Sequence, residues 1–290
     1  MSRTIVVTGC DSAHYDLVTD LLTSLTDAGR EGLTVGFIHV GDDAVPAEIE
    51  AAVDCMVHVP DDGFHANGVR GYRLAYLGIK PRLPDLFPGY ETYVWLDGDT
   101  WVQNRAGIDQ IVQSAQFAAV CAHPELDPNY FRIPLRSERL LTLYGPLYGE
   151  ADAASHVSLP MFNSGVFAGT AGSPLWALWS AALAEVHDKI LASARLYFSD
   201  QVPMHHLIAS LSLSVQPLRA VNNWLMHAAA PALNLKTRRV VAPTYPYEEI
   251  NILHLSGETK DVKFPLDDEG HETTFRYRDL KALFANWPTV

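Results

Sequence analysis

Three short apolar runs rich in β-branched residues open the chain: TIVVTG at residues 4–9, LTVGFIHV at 33–40 and CMVHV at 55–59. The stretches between them, 14–28 and 46–53, read as helices, so the order is β-α-β-α-β. Parallel neighbours need long crossovers, and these are right-handed, which leaves such a chain few topologies. The expected fold class is α/β with a mostly parallel central sheet, an architecture that presents ligands beyond the carboxyl ends of its strands.

Further along, YVWL at 93–96 reads as a strand, 108–116 as a helix and FAAVCA at 117–122 as another strand. Residues 69–86 are expected to be mostly helical, with breaks at Pro81 and Pro84. MFNSGVFAG at 161–169 is an apolar segment interrupted by polar residues at 163–165. Helices are expected over 173–192, with Trp176 and Trp179 on one core face, over 198–211 with Ser199 as N-cap, and over 277–286. Residues 123–160, rich in Pro, Tyr and Gly, are the least regular and read either as a binding loop or lid, or as plain connection.

The chain has 290 residues, 48% apolar and 19% charged, enough for one large core. A single domain over 1–290 is expected, with a nucleotide-binding half at 1–105, a second half at 106–260 and a tail at 261–290. No apolar stretch is long enough for a membrane span, and MSRTIVVTGC lacks the features of a signal peptide, so a cytoplasmic protein is expected. The formal charge of −13 argues against nucleic-acid partners. Three widely spaced cysteines without C-x-x-C suggest buried thiols rather than disulfides or a zinc site. A homo-oligomer is compatible with all of this, and nothing in the composition selects it.

The chemistry concentrates in YVWLDGDTWVQN at 93–104, where Asp97 and Asp99 follow a buried strand. Carboxylates in that position cost several kcal/mol unless a cation or donors offset them, so the pair reads as a metal clamp, with a solvated turn as the alternative. His254, Gly257 and Lys260 form H-x-x-G-x-x-K after the apolar run NILHL. An imidazole can complete a coordination shell begun by carboxylates, which suits Mn²⁺ or a similar ion. The glycine gives backbone room for an anion, and the lysine brings positive charge to it.

With YVWLDGD, FNSG, SDQ and HLSGETK in this order, the chain resembles the glycosyltransferases of family 8, whose relatives include glycogenin and bacterial lipopolysaccharide galactosyltransferases. The resemblance runs from residue 4 to about residue 260. It implies a GT-A fold, one merged Rossmann-like domain with acceptor-side insertions. It also implies transfer from a nucleotide-sugar donor, UDP-sugar in the first instance, to a carbohydrate or small-molecule acceptor with retention of configuration. Asp97, Asp99 and His254 match the ligands of Mn²⁺ (or Mg²⁺), and Asp97 also contacts the donor. Lys260, with Gly257, matches the cation on the diphosphate. Asn163 and Gly165 match an Asn-x-Gly near the donor sugar, and Asp200 with Gln201 matches the catalytic Asp-Gln pair, the alternative for Asp200 being a helix-start charge.

Lys80 of GIKPRL stands where the family places a donor-contacting arginine; a surface lysine is the alternative, and Arg73 competes for the role. At the first strand the family shows an acidic residue followed by Asn-Tyr, whereas this chain has TGCDSAHY. Thr8, Asp11 and Tyr15 are the nucleoside candidates there, and the base stays open. The choice between same-face departure and a covalent intermediate is also open.

Two other readings use the same residues. YVWLDGDT suits the first motif of haloacid-dehalogenase-like phosphatases, although that family begins its domain with this strand and here about ninety residues precede it. The required second acidic pair would be Asp267 and Asp268, in a loop-like context. A non-catalytic nucleotide-sugar-binding protein would keep the same ligands. G-x-G-x-x-G, P-loop, G-x-S-x-G and H-E-x-x-H motifs are absent, which removes support for dinucleotide oxidoreductases, P-loop kinases, serine hydrolases and zinc proteases.

Overall fold

Alternation of apolar runs and helices gives strands β1 (Thr4–Cys10), β2 (Leu33–Val40), β3 (Cys55–Val59) and β4 (Thr92–Leu96), with α1 (Tyr15–Ala28) and α2 (Ala47–Ala52) as the first crossovers. The computed structural model describes residues 3–60, 78–125, 127–128, 130, 144–156, 159–192, 200–266 and 271–287. Arg73, Ser199, Asp267 and Asp268 lie outside these residues, as does 69–77, most of the helical stretch expected over 69–86. Its described end holds a 3-10 turn at Lys80–Arg82 and a short helix at Leu83–Leu86, set apart by the prolines.

Four more strands follow: β5 (Thr100–Val102), β6 (Val120–Pro124), β7 (Phe162–Thr170) and β8 (Val215–Pro217). Among the described residues the main sheet has seven strands in the order β3-β2-β1-β4-β7-β6-β8. Strands β3 to β4 are mutually parallel, β7 is antiparallel to β4 and β6, and β8 is parallel to β6. The sheet is thus mixed but mostly parallel, as expected. Strand β6 begins at Val120 rather than at residue 117, because Phe117 closes a turn onto Ser114 O and is 72% exposed.

Both faces of the central strands are covered, so successive residues alternate between two cores. Val7, Trp95, Phe167, Trp176 and Trp179 share one layer, which bears out the core reading of the tryptophan pair. Val6, Val94, Leu96 and Val166 share the other with Leu21 of α1. Truncating a fully buried tryptophan such as Trp179 would cost about 3–5 kcal/mol. Cys10, Cys55 and Cys121 are free thiols, the first and last buried.

Among the described residues a second, small sheet begins with β5, just after β4 ends. Its strands are β5, β9 (Trp224–Leu225) and β12 (Ile252–His254), with β12 in the middle; β10 (Ala232–Asn234) and β11 (Arg239–Val241) form a separate hairpin-like pair. The register sets His254 opposite Thr100 and Leu225. The final helix, Tyr277–Asn286, docks on α1, where Tyr277 OH donates to Asp27 Oδ2 at 2.6 Å and Arg278 Nε to Asp20 Oδ1 at 2.8 Å. Among the described residues no helix is long and apolar enough to cross a membrane.

Candidate active site

Strand β4 ends at Leu96, and the chain turns at once. Thr100 donates from both N and Oγ1 to Asp97 O, at 2.9 and 2.8 Å, and Asp97 N donates to Gly165 O of β7 at 2.7 Å. Glycine at 98 lets this turn pack against α1, since a Cβ there would lie 2.8 Å from Val18 Cγ2 and force a shift. The turn aims Asp97 and Asp99 over the end of the sheet. Because β5 starts at Thr100 and pairs with β12, His254 arrives beside Asp99, and Leu255 N donates to Asp99 O at 2.8 Å.

The result is a cluster in which one ligand atom each from Asp97, Asp99 and His254 lies within 4.8 Å of the others. His254 Nε2 is 3.3 Å from Asp99 Oδ1, and Lys260 Nζ is 2.7 Å from Asp99 Oδ2. Burial alone would push the Asp99 carboxyl up, but His254 and Lys260 outweigh it and hold the group well below the ordinary carboxylate range. Two carboxylates and an imidazole are a donor set suited to a divalent ion. The lysine is held by the loop itself: Gly257 adopts φ +70, and its carbonyl and that of Leu255 accept from Lys260 Nζ at 3.1 and 3.2 Å.

Lys80 sits at the junction between this cluster and the next. Its Nζ is 2.7 Å from Asp200 Oδ2, 3.1 Å from Asp97 Oδ1 and 3.2 Å from Ser164 O, and the side chain is 3% exposed. The surface-lysine alternative is therefore wrong: burial would lower its affinity for a proton, yet Asp200 and Asp97 more than reverse this. Asp200 occupies the N-cap position of the Gln201–Ala209 helix, but its side chain makes no cap bond. Its carboxylate instead takes Lys80 and, at 3.2 Å, Ser164 Oγ.

One backbone N–H fixes the orientation of two amides, those of Asn163 and Asn223. Gly165 N must donate, so the Asn163 atom it meets at 2.9 Å is Oδ1. Asn223 therefore presents Nδ2 to that oxygen at 3.0 Å and Oδ1 to His254 Nδ1 at 3.0 Å. His254 Nδ1 then donates to Asn223, and Nε2 faces Asp99 Oδ1 at 3.3 Å, a separation that needs either a second proton on the ring or a cation between the two. A metal ion thus fits the residues present. Gly165 allows this crowding, because a Cβ there would fall 2.3 Å from His254 Cε1 and 2.8 Å from Asp97 Oδ2.

On its other side Asn163 Nδ2 faces Glu125 Oε1 at 3.2 Å and Gln201 Oε1 at 3.5 Å, while Gln201 Nε2 donates to Glu125 Oε1 at 2.9 Å. Asn163 is thus a hub whose amide is spent on protein partners. Glu125, Asn223 and Ser164 escaped the sequence reading, as did Trp95, whose Nε1 donates to Asp97 Oδ1 at 2.7 Å. Only Glu125 had a usable signal, a carboxylate just beyond an apolar strand.

The nucleoside candidates lie at the end of β1, against the Asp-Gly-Asp turn: a Cβ on Gly98 would be 3.6 Å from Gly9 O. Thr8 Oγ1 is buried without a hydrogen-bond partner. Asp11 accepts from Ala13 N at 3.1 Å and pairs with His14 Nδ1 at 2.8 Å, and Tyr15 OH meets His39 Nε2 at 2.8 Å.

No protein-family model matches the sequence, and no curated protein matches it either. Solved structures do match. A galactosyltransferase, LgtC, in complex with donor and acceptor sugar analogues superposes with a TM-score of 0.57 over 99% of this chain and 97% of its own, at 14% identity. The fold is that of the GT-A glycosyltransferases. The bifunctional glycosyltransferase WbbM matches with a TM-score of 0.56 at 17% identity, over 99% of this chain and 50% of that one. Mouse xyloside xylosyltransferase 1 matches with a TM-score of 0.55 at 13% identity, over 89% and 98%. In this GT-A chain the Asp97, Asp99 and His254 cluster lies where β4 ends and the small sheet begins.

Proposed function

We propose that the protein is a divalent-metal-dependent, retaining glycosyltransferase that moves a sugar from a nucleoside-diphosphate donor, a UDP-sugar, to a carbohydrate or small-molecule hydroxyl. The observation that carries this reading is the linkage made by Lys80. One ammonium joins Asp97 of the metal-binding cluster to Asp200 of the second cluster, so a site for diphosphate and a site for sugar share a wall.

Asp97, Asp99 and His254 would hold Mn²⁺ or Mg²⁺, which when bound supplies Lewis-acid stabilisation of charge on the diphosphate. Lys260, 28% exposed and tethered to Asp99, adds a positive charge for the same phosphates. Thr8, Asp11 and Tyr15 line the approach for the nucleoside. Asp200 is paired with Lys80 and offers oxygen to sugar hydroxyls. Gln201 offers a neutral carbonyl oxygen near the reacting carbon, where positive charge builds as the bond to phosphate lengthens.

A thermal-shift screen of nucleoside diphosphates and UDP-hexoses, each with and without Mn²⁺, tests the reading. A ligand at about 100 times its Kd stabilises the native state by about 2.7 kcal/mol, a shift of several degrees. The expected result is a shift that needs both nucleotide and metal. Absence of any such shift contradicts the proposal, and phosphate release from a generic ester that is lost in Asp97→Asn would favour the phosphatase reading instead.

A further inference from the structure

Glu125 is a buried carboxylate with no part in the metal cluster, and it lies one residue beyond β6. An irregularity between Ala122 and Pro124 breaks the pairing of β6 with β7, and Glu125 N then donates to Met161 O at 2.7 Å. The break carries the side chain in among Asn163 and Gln201. Burying a carboxylate is costly, and here it serves two amides through a single oxygen, Oε1.

A glutamine amide is nearly symmetric in shape but opposite in polarity at its two ends, and it can rotate about its last bond. An ionised carboxylate only accepts. With Gln201 Nε2 donating to Glu125 at 2.9 Å, Gln201 Oε1 must point the other way, toward Ser164 N and Asn163 Nδ2, both at a long 3.5 Å. Ser164 is the residue whose Oγ and O contact Asp200 and Lys80. The carbonyl end of Gln201 is thereby turned to the side where Asp200 sits, and its N–H₂ end is turned away.

We propose that Glu125 is a positioning residue that fixes the polarity of the Gln201 amide. The role rests on the glycosyl-transfer reading, because an amide oxygen supports a developing positive charge at the sugar and an amide N–H₂ opposes it. Glu125 does this without touching substrate or a metal ligand; its other partner, Asn163, connects onward through Asn223 to His254.

The test uses the full-length chain with Glu125→Ala, Glu125→Gln, Gln201→Ala and the double variant Glu125→Ala/Gln201→Ala. Hydrolysis of UDP-glucose and UDP-galactose in Mn²⁺ gives kcat and KM, and UDP binding in Mn²⁺ is measured separately. In Glu125→Ala kcat is expected to fall about 10- to 100-fold, with KM and UDP affinity within about threefold. Glu125→Gln keeps an oxygen for both amides and should recover most of the rate. In the double variant the loss should not exceed that of Gln201→Ala alone. In side-chain amide NMR spectra the Gln201 N–H₂ pair, assigned by its loss in Gln201→Ala, should shift and exchange faster in Glu125→Ala. Additive losses, an unchanged kcat, or an undisturbed Gln201 resonance overturn the assignment. A wild-type chain that binds UDP but hydrolyses neither donor, with the NMR change present, overturns the reaction reading and shows that it failed separately from the Glu125–Gln201 contact.

Discussion

Asp99→Ala is expected to weaken Mn²⁺-dependent binding of UDP by about 100-fold or more while the protein stays folded, since even outer-shell changes at metal sites cost about 10- to 100-fold. The carboxylate meets both His254 Nε2, at 3.3 Å, and Lys260 Nζ, at 2.7 Å, so its loss removes one metal ligand and releases the lysine that would face the diphosphate. The turn itself does not depend on that side chain. Its bonds run through Asp97 O to Thr100 and through Asp99 O to Leu255 N, all from backbone carbonyls that alanine keeps. Lys260 is partly exposed and can return to water, while His254, 6% exposed, loses a partner, so some stability is lost but the variant should stay folded. Titration calorimetry of UDP with and without Mn²⁺, beside a far-UV CD melt, measures both quantities. Unchanged metal-dependent affinity in a folded variant would remove Asp99 from the site.

Lys80→Met should have the opposite profile, a large loss of stability. The ammonium is 3% exposed and bridges Asp97 and Asp200, whose side chains are 22% and 10% exposed. Removing one partner of a buried ion pair costs about 3–5 kcal/mol, because the remaining charge is left without compensation. Partial solvent access at Asp97 places this case near the lower end. Urea unfolding should therefore show a midpoint well below wild type, with Mn²⁺ restoring part of the difference through Asp97 but not the part due to Asp200. Burial would lower the Lys80 affinity for a proton, and the carboxylates of Asp200 and Asp97 raise it instead. A group raised on folding contributes stability fully below its unfolded value, about 10.4, and loses it only as pH rises through the higher folded one. The wild-type advantage from this group should then be flat through the neutral range. A Lys80→Met protein as stable as wild type would mean that the bridge does not exist in solution.

These two residues show what was legible in the sequence. Asp97 and Asp99 could be found because a buried strand followed at once by two carboxylates is a local pattern, and the pairing of β5 with β12 then brings His254 to Asp99. Lys80 carried no such signal: its burial comes from contacts with Asp97, Ser164 and Asp200, each distant in sequence. Asn223 was invisible for the same reason, since its partner Asn163 lies 60 residues away; Glu125 offered only a carboxylate just beyond an apolar strand, and its partners Asn163 and Gln201 lie 38 and 76 residues away. The α/β class followed from the first three strands. The antiparallel insertion of β7 between β4 and β6 did not, because an apolar run buried on both faces reads the same in either direction.

If the proposed function holds, the protein breaks the bond between a sugar and a nucleoside diphosphate with the help of a divalent ion, and the products report it. The most direct measurement is ³¹P NMR of UDP-glucose and UDP-galactose incubated with the protein in Mn²⁺ without an acceptor, each sample quenched with excess EDTA before its spectrum, with incubation in EDTA and Asp200→Asn as controls. The expected result is free UDP with its diphosphate intact, formed only when metal is present and lost in Asp200→Asn. Inorganic phosphate or UMP as the product, or UDP formed at the same rate in EDTA, would contradict it.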